Sequence, residues 1–278
     1  MNNEKLEKIL VYAGAGIAAA AVPVFFAAPG HAPKRLKMPF NGVNCAHRGL
    51  HSQDKSIPEN SLAAFRKAAE NGYGVELDVQ LSKDGQVVVF HDDTLKRVCG
   101  VDKRVDELTL EELQALKLCG TEERVPLFTQ VLSAICGRGP IICELKTGRN
   151  NRELCRKTLD IIEGYSGDIC IESFDPCIVA WFRFHAPHLL RGQLSSPCKS
   201  FASEGMPKPL AFILSRCLMN PLARPQFIAY EIAKKPLQVK LCEAMGAMKV
   251  CWTSLSPSNE KKNDCVIFQF YRPERKFK

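Results

Sequence analysis

The chain has 278 residues, 46% of them hydrophobic, which is enough to bury one large α/β core or two smaller ones. Its formal net charge of +8 is spread along the sequence, without basic runs interleaved with aromatic residues, so a nucleic-acid-binding protein is not indicated. The 13 cysteines are scattered and odd in number, and many lie in apolar runs. We therefore expect reduced core thiols rather than a disulfide framework or a zinc site.

The N-terminal region contains a long apolar stretch. Residues Ile9 to Ala28 carry no charge and are long enough, as a helix, to cross a bilayer. A cleaved signal peptide is the alternative, but proline follows both candidate cleavage sites, and the run is long for a signal core. We predict an uncleaved anchor in the cell membrane, and the flanking positive charges slightly favour a cytoplasmic folded domain. The predicted divisions are a flank at 1–8, a transmembrane anchor at 9–28, a linker at 29–39 and a folded domain at 40–278.

Strand patterns alternate with helical patterns along the rest of the chain. Helices are predicted at 61–71, at 109–118, where Thr109 and Glu112 form a capping-box pattern, and at 151–162. Eight strands over about 230 residues predict a (β/α)₈ TIM barrel, whereas the alternative, a doubly wound sheet, lacks a GxGxxG loop or P-loop. The strands are predicted from residue 74 onwards and at 43–47, 140–145, 168–173, 190–194, 226–231, 248–253 and 264–270.

The second strand is followed by a very short turn, Ser82-Lys83-Asp84-Gly85. Such a turn joins only antiparallel strands, because parallel neighbours need a long crossover. We therefore predict a β-hairpin inserted after strand 2, in which Gln80 or Leu81 pairs with Gln86 or Val87. This pairing would bring His91 back to the strand that carries Glu76 and Asp78.

Three carboxylates lie near the ends of predicted strands. Glu76 and Asp78 are two residues apart and therefore point to the same face, as do Glu144 and Lys146. In a barrel these positions lie at the C-terminal mouth. Carboxylate oxygens without companion cysteines suit a hard cation, so we predict one divalent ion, Mg²⁺ or Ca²⁺.

Cations and imidazoles are predicted at the same mouth. Arg48 and Lys146 complement a phosphate, while His47 and His91 can divide the proton transfers between the attacking and leaving oxygens. Each of these patterns alone is typical of surface polarity or of a turn, but together they favour phosphodiester hydrolysis.

Two later segments are harder to interpret. Pro209 to Ala223 is apolar and would form either a buried barrel helix or a membrane-facing lid. Ser254 to Asn263 is polar, contains Pro257 and is too short for a normal outer helix. We therefore expect distorted closure between the last two strands.

Seven short motifs carry a family resemblance that covers about Pro39 to the C-terminus. They are AHRG at 46–49, PENS at 58–61, ELDV at 76–79, VVFHDD at 88–93, CELK at 143–146, SFD at 173–175 and CWT at 251–253. In order and spacing they resemble glycerophosphodiester phosphodiesterases, in particular the membrane-anchored bacterial branch.

The resemblance implies a TIM barrel with specific roles for ten residues. It implies metal binding by Glu76, Asp78 and Glu144, and acid/base roles for His47 and His91. It also implies phosphate or substrate binding by Arg48, Lys146, Glu59, Phe174 and Trp252, with Glu59 supporting the His47 side of the pocket.

The implied reaction cleaves a glycerophosphodiester to sn-glycerol 3-phosphate and an alcohol. Two alternatives remain open: a lysophospholipase D acting on lysophospholipids, and a catalytically degenerate barrel that binds lipid or phosphate. The expected partners are the substrate and the membrane, not nucleic acid, and no particular oligomeric state is implied.

Overall fold

The computed structural model describes residues 22–278. Eight parallel strands close into a barrel in which the first strand pairs with both the second and the last, as predicted for a (β/α)₈ fold. A short antiparallel strand, β3 (Val87–Val89), pairs with β2 outside the barrel. The barrel strands are β1 (Val43–Ala46), β2 (Gly74–Leu81), β4 (Ile141–Leu145), β5 (Ile169–Ser173), β6 (Arg191–Ser195), β7 (Phe227–Glu231), β8 (Met248–Ser254) and β9 (Cys265–Phe268).

Helices cover the outside of this barrel. The strands are therefore buried on both faces, which explains their nearly continuous apolar sequences. The predicted capping box at Thr109 and Glu112 is present and opens one of the short helices. Besides the helical residues 22–27, the α-helices are α1 (Lys34–Lys37), α2 (Leu62–Glu70), α3 (Lys96–Cys99), α4 (Leu110–Ala115), α5 (Phe128–Ile135), α6 (Asn151–Glu163), α7 (Pro176–His185), α8 (Cys198–Ser203), α9 (Lys208–Ser215), α10 (Asn220–Ala223) and α11 (Leu237–Ala244), and 3₁₀ turns lie at Met38–Phe40, Val105–Glu107, Leu118–Gly120 and Pro257–Lys262.

The hairpin after β2 has the predicted geometry. Leu81 pairs with Val87, and Gly85 has a φ of 74°, a left-handed conformation that glycine adopts without steric cost. From β3 the chain makes an excursion through residues 90–127, which bury their own small apolar cluster around Leu113 and Val125. The antiparallel return of β3 brings His91, two residues after this strand, back to the barrel mouth.

The barrel is closed despite the short connection before its last strand. β9 pairs with β1 over four residues, and it also pairs with β8, where the register shifts between Cys251 and Ser254. The 3₁₀ turn Pro257–Lys262 takes the place of an outer helix. The expected distortion is therefore limited to an irregularity near the mouth, and it does not open the barrel.

The segment 209–223 forms most of α9 together with α10. Ala211 and Ser215 are buried, whereas Leu210 and Phe212 are exposed, so α9 is neither a fully buried helix nor a detached lid. All 13 cysteines carry free thiols, as predicted.

Most of the predicted membrane anchor lies outside the described residues, which begin at position 22 and are helical at 22–27. Within the described range, 22–278, none of the helices combines the length and the apolar character that crossing a membrane requires. The predicted linker is packed against the barrel. The amide of Gly30 donates to Pro225 O at 2.9 Å, and Gln226 Nε2 donates to His31 O at 2.7 Å, next to the N-terminal ends of β6 and β7.

Candidate active site

Three buried carboxylates meet inside the C-terminal mouth of the barrel. Asp78 on β2 pairs in register with Glu144 on β4, and Glu76 lies on the same face two residues earlier. Each offers an oxygen within 4.8 Å of the others. Asn60 Nδ2 donates to Asp78 Oδ2 at 2.9 Å and fixes the orientation of that carboxylate. The fold thus brings together the three residues that the sequence predicts as metal ligands.

The electrostatics of this triad suit a hard cation. Burial, followed by the charges of Asp78 and Glu144, raises the pKa of Glu76 well above its usual value. Burial also raises the pKa of Glu144, although Lys146 opposes the shift. Burial would raise the pKa of Asp78 as well. The charges of His91, Lys146 and Arg48 outweigh that effect, so the pKa of Asp78 is lowered. Among the described residues Asp78 Oδ1 has no hydrogen-bond partner. These oxygen donors therefore fit a divalent ion.

Two cations border the triad. The amide of Arg48 donates to Glu76 Oε2 at 3.0 Å, and Arg48 Nε lies 3.7 Å from Asp78 Oδ2. Lys146 Nζ lies 2.8 Å from Glu144 Oε1 and 3.6 Å from Asp78 Oδ1. Although burial opposes its charge, Glu144 and Asp78 raise the pKa of Lys146, so it stays protonated. Both cations are in place to bind an anionic group above the carboxylates.

His47 follows β1 and is held by the residue that follows β9, the last strand of the barrel. Its Nδ1–H donates to Gln269 Oε1 at 2.5 Å. Burial, with a smaller contribution from Arg48, lowers the pKa of His47 to about 3. The imidazole is therefore neutral near pH 7, and its Nε2, 3.9 Å from Glu76 Oε2, carries a free lone pair. This nitrogen can accept a proton.

His91 is oriented from a different direction. Its Nδ1–H donates to Asp92 Oδ1 at 2.6 Å, and Arg97 holds that carboxylate through Nε at 2.6 Å and Nη2 at 2.9 Å. Arg97 also donates to both oxygens of Glu59, each at 2.7 Å. Because Arg48 Nη1 donates to Glu59 Oε1 at 2.7 Å, one chain of charged hydrogen bonds joins the His91 side of the site to Arg48.

Glu59 lies on the His47 side of the pocket, next to Arg48. Both of its oxygens are occupied by arginines, and it contacts Arg48 rather than His47. Burial raises its pKa, but the hydrogen bonds and charges of Arg97 and Arg48 outweigh that effect and lower it to about 2. The Glu59 carboxylate is therefore charged near pH 7, and its hydrogen bond with Arg48 orients that cation. Its role in binding the substrate stays a prediction.

The opposite side of the mouth is apolar. Phe174, which follows β5, meets Trp252 on β8 edge to face, with ring centroids 5.8 Å apart. The two rings, Glu76 and Glu144 line one cavity of about 600 Å³. Its apolar wall consists of Phe174, Leu194, Phe201, Met206, Trp252 and Ile267.

Comparison with known proteins places this site in a family. The model of the glycerophosphoryl diester phosphodiesterase family matches residues 47–268, which include the triad, both histidines and both cations. The chain belongs to this family.

Curated members of the family include enzymes with two named activities. A glycerophosphodiester phosphodiesterase from Caldanaerobacter subterraneus subsp. tengcongensis is 36% identical over 162 residues, which cover 54% of this chain and 65% of the relative. A human lysophospholipase D is 32% identical over 146 residues, covering 48% of this chain and 45% of the relative. The chain thus matches less than two thirds of the length of either relative.

Solved structures share the fold. An Oleispira antarctica phosphodiesterase in complex with sn-glycerol-3-phosphate superposes with a TM-score of 0.69 at 23% identity, covering 84% of this chain and 94% of that one. A glycerophosphodiester phosphodiesterase from Thermotoga maritima superposes with a TM-score of 0.60 at 26% identity, covering 81% and 93% respectively.

Four residues of the site were not predicted from the sequence. Asn60 lies within the PENS motif, so a signal for it was present, and Arg97 lies near the HDD motif. Gln269 and Glu172 lie outside any catalytic pattern. Glu172 on β5 is buried and lies in register with Glu144 on β4. Burial, followed by the charge of Glu144, raises the pKa of Glu172 well above its usual value. Within the described part of the chain its Oε2 has no hydrogen-bond partner.

Proposed function

We propose that this chain hydrolyses glycerophosphodiesters to sn-glycerol 3-phosphate and an alcohol. The observation that supports this most directly is one cavity lined by Glu76, Glu144, two histidines and two fixed cations. Asp78 completes the carboxylate triad next to this cavity. Such a set can bind a phosphodiester, neutralise its charge and move protons at both of its ester oxygens.

Glu76, Asp78 and Glu144 would hold one divalent cation, Mg²⁺ or Ca²⁺. When bound, the ion withdraws charge from the phosphoryl oxygens. Arg48 and Lys146 bind the phosphate from the same side, since both lie within 4 Å of carboxylates of the triad.

The two histidines divide the proton transfers. Nε2 of His47 is free to accept a proton because Nδ1 donates to Gln269. His91, held by Asp92, presents its other ring nitrogen to the cavity and serves the second ester oxygen. The roles of base and acid fall to this pair.

The direct test incubates the purified chain with glycerophosphocholine, glycerophosphoethanolamine and lysophosphatidylcholine. Release of sn-glycerol 3-phosphate that depends on Mg²⁺ or Ca²⁺ and is lost with chelator supports the proposal. Absence of metal-dependent turnover of every substrate would refute it and favour a binding protein. A short segment before β9 would favour a degenerate barrel only if it left the barrel open. Because β9 pairs with both β1 and β8, the barrel is closed, and the degenerate alternative is less favoured.

A lysophospholipase D activity is the second candidate. The apolar wall at Phe174, Phe201 and Trp252 could accept an acyl chain, and one relative of about one-third identity carries that name. The same assay separates the two activities, because a lysophospholipase D releases lysophosphatidic acid from the lysophospholipid. A strong preference for the acylated substrate would replace the first proposal by the second.

We further propose that the N-terminal apolar stretch anchors the chain in the cell membrane with its barrel on the cytoplasmic side. The charge-free sequence Ile9–Ala28 supports the anchor, and the 13 free cysteines favour a reducing compartment. A reporter fused to the C-terminus and active only outside the cytoplasm would contradict this orientation. Recovery of the full chain in the membrane-free fraction would contradict the anchor.

A further inference from the structure

Two cavities meet at His47 and Arg48. The first, of about 600 Å³, is lined by Glu76, Glu144 and the apolar wall. The second, of about 400 Å³, lies on the other side of the same two residues. It is bounded by His51, Lys55, Glu59, Arg97, Gln269 and Phe270. A phosphodiester bound between His47 and Arg48 has two substituents, and the molecule offers one cavity for each.

The first cavity suits the glycerol half of the diester. Its floor contains Glu172, whose Oε2 lacks a partner among the described residues and can accept a hydrogen bond from a glycerol hydroxyl. The apolar wall around Trp252 can pack against carbon, whether the three carbons of glycerol or an attached acyl chain. The second cavity therefore remains for the alcohol that is released.

The second cavity has a cationic wall. Lys55 is exposed at its edge, and Arg97 forms part of its side. Among the described residues that line it, Glu59 is the sole carboxylate, and both of its oxygens are engaged by Arg48 and Arg97. Within residues 22–278, this cavity offers a positively charged head group neither a free carboxylate nor an aromatic cage. The ring of Phe270 contacts one other ring there, that of His51, with centroids 5.1 Å apart.

The same cavity offers a polar partner for hydroxyl groups. Nε2 of His51 is buried and has no hydrogen-bond partner in residues 22–278. Burial, more than any neighbouring charge, lowers the pKa of His51, so the ring is neutral near pH 7. A neutral imidazole nitrogen either accepts from a hydroxyl or donates to one.

On the basis of the proposed function, we propose that this second cavity binds the alcohol half of the diester and selects a hydroxylated, uncharged head group, such as glycerol or inositol, over a quaternary ammonium. Lys55 supplies the charge discrimination, and His51 supplies the hydrogen bond. Neither residue belongs to the catalytic set.

The experiment compares kcat/KM for glycerophosphoglycerol with kcat/KM for glycerophosphocholine in the full chain, in Lys55→Glu and in Lys83→Glu. Lys83 is exposed on the hairpin turn, and its replacement causes the same change in net charge away from the second cavity. We expect the unchanged chain to prefer the glycerol diester. Lys55→Glu should shift the ratio by about three- to tenfold toward choline, while Lys83→Glu leaves it unchanged.

A second measurement separates charge from fold. Raising the salt concentration should reduce the Lys55 effect, since exposed charges are screened. His51→Leu should raise KM for the glycerol diester by about fivefold and leave KM for the choline diester unchanged, whereas His51→Gln should retain most of the affinity.

The outcomes are distinguishable. Equal turnover of both diesters, or identical ratios in Lys55→Glu and Lys83→Glu, would overturn this inference while leaving the hydrolase function intact. Failure to turn over either diester in the presence of Mg²⁺ or Ca²⁺ would instead refute the proposed function.

Discussion

The two sides of the barrel mouth differ in polarity: one side is charged and the other is mainly apolar. The side formed by β1, β2, β4 and the loop after β3 carries the carboxylate triad, the two histidines and the two cations, which are held in position by hydrogen bonds of about 2.5–2.9 Å. The side formed by β5, β6 and β8 carries mainly rings and aliphatic groups, with Phe174 and Trp252 in edge-to-face contact. We expect substitutions on the charged side to change the rate, and substitutions on the apolar side to change the affinity.

The largest loss is expected at the triad. Glu144→Gln replaces a charged ligand by a neutral amide and should lower kcat/KM by about a thousandfold. Thermal unfolding provides an independent readout, because a bound ion should raise the melting temperature of the unchanged chain but not that of the variant. Glu163→Gln, on the exposed end of α6, should change neither quantity. An ion-dependent shift that survives in Glu144→Gln would remove this residue from the metal site.

The second-largest loss of activity is expected at the two histidines. His47→Ala and His91→Ala should each lower kcat by about 10²- to 10⁴-fold, since each removes one proton-transfer group. Melting temperatures should remain close to that of the unchanged chain. The control is His188→Ala, which alters a histidine far from the mouth, in the loop between α7 and β6. Unchanged rates in either active-site variant would refute the assigned role.

A smaller loss is expected at Arg97. Arg97→Lys keeps the charge but cannot form both two-pronged contacts, with Asp92 and with Glu59, so His91 and Arg48 should lose their fixed positions. We expect kcat to fall by about 10- to 100-fold with little change in KM. Arg66→Lys, on the exposed face of α2, is the matched control. If KM rises while kcat is unaffected, Arg97 acts on substrate binding rather than on positioning.

The smallest effect is expected on the apolar side. Trp252→Leu removes ring area from the cavity wall and should raise KM by about three- to tenfold with kcat nearly unchanged. Trp181→Leu replaces the other tryptophan, which packs on the outside of the barrel, and controls for a general loss of stability. A large fall in kcat for Trp252→Leu alone would show that the two sides of the mouth are not separable in function.

Much of the fold follows from the sequence because the barrel strands are continuous apolar runs and the turn at Ser82–Gly85 permits only a hairpin. The triad could be found because Glu76 and Asp78 share one face of a predicted strand, and because Glu144 has the same spacing of two with Lys146. Gln269 could not be found in this way, since it reaches His47 only after the barrel has closed. Arg97 lies on a four-residue helix whose position depends on the packing of the whole 90–127 excursion.

The contact between residues 25–31 and the loop before β7 has a practical consequence. Arg224 Nη1 donates to Phe25 O at 3.0 Å and to Ala28 O at 2.9 Å, and Ala27 is fully buried. A truncated protein that starts at residue 40 would lose these contacts and expose the N-terminal end of the barrel to water. It should therefore aggregate more readily than a protein that starts at residue 22.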